Sequence, residues 1–236
     1  RPRLGQGLRT TMSKLLDALE QAFHGVSQPM GFTPKPREEK TPPVLLLAVV
    51  ASDAEAKIAA EAGLDGALVT GGPKTVMDKI AKALGSQPWG LWKDEADGSP
   101  PDASDFQVFS SDATLIGAIG GDERASIMQV SPDLEDSLLR TIEDLPVDAF
   151  LVSLGDVDSL TVKQIMSIAR VRSCTSKWLL LHLATVPSKD ETERLRELGI
   201  CALVVDIAGK SAKDLKSARQ ALLDLPKEPP RRRQEK

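Results

Sequence analysis

The chain is short of the residues that build metal and redox centres. It has two histidines, His24 and His182, far apart, and two cysteines, Cys174 and Cys201, with no CxxC spacing between them. Such a set is a poor one for zinc, and two cysteines in 236 residues make no disulfide framework. The cysteines read as buried free thiols in a reducing, cytoplasmic setting. Long apolar runs are missing too, which argues against a bilayer-spanning segment. A net charge of -4 leaves no general basic footprint for nucleic acid. There is no G-x-S-x-G elbow, so no serine is assigned histidine and aspartate partners by sequence.

Many short apolar runs are present. VLLLAVV (44–50), GALVT (66–70), WGLW (89–92), FQVFS (106–110), SIMQVS (126–131), AFLVSL (149–154), WLLLHL (178–183) and ALVVD (202–206) give eight candidate strands. Most are continuous in hydrophobicity, as parallel strands buried on both faces are. Helical patterns lie between them, at about 53–63, 73–84, 112–118, 132–144, 160–172, 188–198 and 210–224. Ser52 with Glu55 and Ser188 with Glu191 have capping-box spacing, and Ser131 precedes a proline suited to a first helical turn. After the third strand, KDEADGSPPDAS (93–104) argues against a helix through its Asp, Gly, Ser and Pro content.

This alternation predicts an α/β protein, a (β/α)8 barrel with a degenerate third βα unit and an extra N-terminal helix at about 12–24. An open doubly wound sheet is the alternative, although the turn after strand one has no glycine-rich fingerprint. The expected organisation is a flexible extension over residues 1–11, the helix and a proline-rich connection over 12–43, the barrel over 44–225 and a charged, disordered tail over 226–236. GLDGALVTGGPKTVMD (63–78) and GICALVVDIAGKSAKD (199–214) echo each other without a gap.

The GKS of residues 209–211 looks like the end of a nucleotide P-loop, yet the first glycine of that motif would fall on Val204, inside a strand. In a barrel the same residues form the loop after strand eight, at a helix start whose free N–H groups suit an anion. On Gly209, Lys210 and Ser211 the chain resembles the phosphate-binding (β/α)8 barrels, whose loops after strands seven and eight hold the phosphate. The loop after strand seven, ATVPSKDE, lacks the glycines such sites favour. A second glycine-rich helix start follows strand two, with Gly71, Gly72 and Lys74.

Barrel chemistry sits at the C-terminal strand ends, where this chain places few acids or bases. His182 and Asp206 are the candidate catalytic pair, a general base or ligand and its orienting or cation-binding partner. Gln107 and Gln129, on neighbouring strands, are expected to point into the barrel toward a polar ligand. The expected function is binding of a small anionic, phosphorylated ligand at the mouth, with cofactor-free lyase or isomerase chemistry, and no metal, nucleic acid or membrane. Self-association into a homo-oligomer is compatible with these features. The second reading is a catalytically degenerate barrel that serves as a scaffold or interaction module.

Overall fold

The computed structural model describes residues 13–24, 41–93, 103–112, 114, 119, 124–154 and 160–226. The expected extension, most of the proline-rich connection, the segment after the third strand, the helix at 112–118 and the charged tail lie wholly or largely outside these residues.

The sheet is a closed barrel of eight strands in sequence order, every pairing parallel, with β8 returning to β1. The strands are β1 (Leu45–Val50), β2 (Gly66–Val69), β3 (Trp89–Lys93), β4 (Phe106–Ser110), β5 (Ala125–Val130), β6 (Ala149–Ser153), β7 (Trp178–Leu183) and β8 (Ile200–Asp206). Among the described residues the helices are α1 (Lys14–His24), α2 (Asp53–Ala62), α3 (Lys74–Leu84), α4 (Asp136–Leu139), α5 (Val162–Cys174), α6 (Lys189–Glu197) and α7 (Ala212–Leu223). Closure excludes the open sheet.

Strand alternation divides the core in two. Inward residues such as Leu47, Leu68, Val108, Ile127, Leu151 and Val204 fill the barrel, while outward ones pack beneath the helices. Inside, Gly90 stands in register with Phe106, and a Cβ on Gly90 would lie 2.2 Å from the ring. The absent side chain is what makes room for the phenyl group. None of the described helices is long and apolar enough to cross a membrane.

The floor of the barrel is closed by α1, whose Leu15 and Leu19 are fully buried against the interior strand residues. Phe23 on the same helix meets Trp178, at the start of β7, edge to face at 5.4 Å. The helix is capped from a distance. Asp105 accepts from the Ser13 hydroxyl at 2.7 Å and from the Lys14 and Leu15 amides at 2.8 and 2.9 Å. The two amides are first-turn donors that have no partner within the helix.

Asp105 belongs to a repeated device. Asp65, Asp105 and Asp148 stand directly before β2, β4 and β6, and the amide of each donates to the preceding strand. The carboxylates of Asp65 and Asp148 accept in return from the Leu46 and Ser126 amides at 2.9 and 2.8 Å. At the third position the carboxylate turns down to α1.

Ser52 and Ser188 cap α2 and α6 as their spacing predicts, and Thr161 with Gln164 adds a full capping box on α5. The helix expected over 132–144 is corrected to α4 plus a 3-10 turn at Ile142–Asp144. Ser131 closes a turn onto the amides of Asp133 and Leu134. Arg170, from α5, then takes the Pro132 and Leu134 carbonyls at 2.7 Å and Asp136 at 3.0 Å. Carbonyls engaged by a guanidinium from outside support an irregular path rather than a helical ladder.

Candidate functional site

Parity places the last inward residue of each strand at the C-terminal mouth. Ser153 follows Ala149 and Leu151 on the inner face of β6, His182 follows Leu180 on β7, and Asp206 follows Ala202 and Val204 on β8. The register sets Ser153 directly opposite His182. The three side chains join in a string, with Ser153 Oγ 3.0 Å from His182 Nδ1 and His182 Nε2 3.2 Å from Asp206 Oδ1. His182 is 14% exposed and Asp206 41%, so the carboxylate faces the opening while the imidazole is largely shielded. Trp92, at the end of β3, packs its edge or face against the imidazole at 5.0 Å and 82°.

A carboxylate only accepts hydrogen bonds. With Asp206 ionised, Nε2 of a neutral His182 carries the proton, Nδ1 keeps its lone pair, and the Ser153 hydroxyl donates to it. Both ring nitrogens are thereby engaged. The groups left to meet a ligand are the two ends of the string, Ser153 Oγ and the second oxygen of Asp206.

Lys210 sits beside this string. Its ammonium donates to the Ala184 carbonyl at 2.7 Å and to the Asp206 carbonyl, which ties the ends of β7 and β8 together. Burial pulls its pKa below the ordinary lysine range, and the nearby Asp206 charge acts in the opposite sense. Gly209 has φ +73°, and a Cβ there would meet nothing within 4 Å, so the glycine answers to backbone conformation. The Lys210 amide closes the turn onto Ile207 O at 3.0 Å. Ser211 caps α7, accepting from the Asp214 amide at 3.2 Å and donating to its carboxylate at 2.7 Å.

The loop after β2 is built on the same plan. Gly71 and Gly72 have φ +92° and +134°, Pro73 precedes the first helical residue, and Lys74 opens α3. The two glutamines are separated by the sheet. Gln129 lies on the inner face of β5, in register with Ser110, whereas Gln107 is on the outer face of β4 and reaches Ser126 Oγ at 3.5 Å. The expectation that both enter the barrel is thus corrected for Gln107, because residue 107 alternates with the inward Phe106 and Val108.

Cys201 is buried, and burial raises its thiol pKa, while Cys174 is only half-buried. No cluster of histidine, cysteine or carboxylate side chains among the described residues is arranged for a metal ion. Sequence reasoning sets Ser153 at a strand end in the mouth but assigns it no partner. Its signal is weak but present: a serine closing an apolar strand one unit before a strand whose penultimate residue is histidine.

No family model matches the sequence, and no curated protein matches it. Solved structures do. A single-substitution variant of the tryptophan synthase α-subunit from Pyrococcus furiosus is 12% identical, with a TM-score of 0.57, over 78% of this chain and 99% of that one. A further structure of that α-subunit gives 0.56 at 12% identity over 78% and 99%, and the tryptophan synthase complex from the same organism gives 0.54 at 12% over 77% and 98%. At this identity the likeness establishes the architecture alone, a (β/α)8 barrel.

Proposed function

We propose that the barrel binds a small anionic, phosphorylated ligand at its C-terminal mouth and acts on it by cofactor-free proton transfer, as a lyase or isomerase does. The observation that carries this is the His182–Asp206 pair at the ends of β7 and β8, adjoining the turn that leads into α7. Helix starts after strands present unpaired N–H groups and the positive end of the helix dipole. Lys210 adds a cation beside the same carboxylate, and Gly71, Gly72 and Lys74 offer a second anion-suited start on the same rim. His182 is the general base of the pair, and Asp206 orients it.

Thermal unfolding with inorganic phosphate and with glycerol phosphate tests this. Ligand at about a hundred times its dissociation constant stabilises by about 2.7 kcal/mol, or roughly 5–10 °C for a domain of this size. No shift with either compound up to about 50 mM, well into the range of weak ion pairing, overturns the proposal.

A second reading has its own support. Val162 and Met166, one turn apart on α5, are 77% and 66% exposed, and Leu138 on α4 is 55% exposed. Large apolar side chains at such exposure suit a contact surface. A barrel with no anion response that self-associates, or retains partners through α5, is a scaffold.

A further inference from the structure

We propose that Ser153 is a nucleophile, and that the string Ser153–His182–Asp206 equips the mouth for acyl transfer from activated carboxyl esters to water. The inference rests on the mouth being the ligand site and is separable from the phosphate reading, because it uses the β6 side of the rim and no anion grip.

The connectivity is that of an activated serine. A carboxylate fixes one imidazole nitrogen as a donor, which leaves the other as a base 3.0 Å from a serine hydroxyl. The ring is reversed relative to the usual arrangement, with Nδ1 toward the serine and Nε2 toward the acid, but the proton path is the same. Three features keep it aligned. All three residues lie within the last two positions of adjacent, hydrogen-bonded strands of a closed barrel, so their Cα positions are set by the ladder. Trp92 restrains the ring from the β3 side. Lys210 holds the Asp206 backbone to Ala184 at the end of β7. A purely structural serine–histidine bond has no need of the half-exposed carboxylate beyond it.

In the acylation step, the Ser153 Oγ–C bond forms as the Oγ proton passes to His182 Nδ1. The ester C–O bond then breaks, and the departing alkoxide takes that proton. In the second step water gives a proton to Nδ1 and its hydroxyl to the acyl carbon. The Oγ–C bond breaks, the proton returns to Oγ, and a carboxylic acid leaves. Water is the only co-reactant. Asp206 is a positioning residue in this scheme, since it fixes the tautomer and stabilises the imidazolium without touching the acyl group.

The full chain is incubated with a phosphonyl fluoride, which forms an O–P bond to an activated serine and expels fluoride. Labelling is followed by intact mass and located by peptide mapping, with the heat-denatured chain as the reference. The expected result is a single adduct on Ser153, formed at least a hundred times faster than in the denatured chain, lost in Ser153→Ala and slowed at least tenfold in Asp206→Asn. p-Nitrophenyl acetate should give a nitrophenolate burst of about one equivalent in the native chain and none in Ser153→Ala. Equal labelling rates in native and denatured chains, or an adduct on another residue, overturn the assignment, and this readout on the wild-type chain stands even if a variant fails to fold. Phosphate stabilisation is measured alongside. A stabilised but unlabelled chain refutes the nucleophile and leaves the anion site standing, whereas a labelled chain without stabilisation supports the nucleophile and refutes the anion site.

Discussion

Asp105→Ala should loosen the barrel floor without removing it. The carboxylate accepts three hydrogen bonds, two from first-turn amides of α1 and one from Ser13. Removing an N-cap acceptor costs about 1–2 kcal/mol, and bonds to a charged acceptor fall at the upper end of hydrogen-bond values. An expected loss of about 2 kcal/mol follows. Against this, Leu15 and Leu19 are fully buried, and burial of each contributes about 1.5–3 kcal/mol. The helix therefore stays docked when its cap is lost, and the transition moves down by roughly 4–8 °C. Asp105→Asn keeps one acceptor oxygen and should lose about half as much. Equilibrium unfolding in urea, read by circular dichroism and by tryptophan fluorescence, measures the change. Trp178 reports on the seat of α1 through its contact with Phe23. An Asp105→Ala loss below about 0.5 kcal/mol, the level of an ordinary surface change, or an Asn variant as damaged as the Ala variant, refutes remote capping.

Gly90→Ala should cost about 1–3 kcal/mol by overpacking, since its Cβ would lie 2.2 Å from the Phe106 ring, and Phe106→Leu should recover part of that loss in the double variant by urea unfolding. Glu143 gives a pH signature. Burial opposes its ionisation, but hydrogen bonds from Ser176 and Thr175 outweigh this and hold its pKa below the usual glutamate value. A lowered folded-state pKa contributes stability above the unfolded value of about 4.3 and loses it as pH falls through the folded one. The melting temperatures of wild type and Glu143→Gln should therefore differ by a constant amount from about pH 5.5 to 7 and converge below about pH 4. Lys210→Met should lower stability by about 1–3 kcal/mol through its two lost carbonyl bonds, and should weaken phosphate stabilisation most at low salt in the same melts.

The barrel was legible in the sequence because its strands are buried on both faces, which writes each as an unbroken apolar run. Seven of the strands begin and end within a residue of those runs, and only β8 starts earlier, at Ile200, where the pairing with β7 carries an irregularity. Helix starts were legible where the cap is local, as at Ser52 and Ser188. The segment 132–144 was not, because what shapes it is Arg170, on a helix that follows it by a whole βα unit. The site divides in the same way. His182 and Asp206 stood out as polar residues closing apolar strands. Ser153 did not, since its partnership comes from the β6–β7 register, and Asp105 did not, since its partner is a helix 90 residues earlier in the chain. Gln107 was misplaced by one step of parity.

The central claim is that the β6–β8 side of the mouth is where this chain meets its ligand. Amide chemical-shift mapping by NMR during titration of the full chain with glycerol phosphate tests it most directly. The account predicts that the largest shifts fall at the amides of 182–188 and 207–213, with the His182 ring signals moving in step and the α1 amides unmoved. Shifts confined to α1 and the starts of the strands, or none at saturating ligand, contradict it.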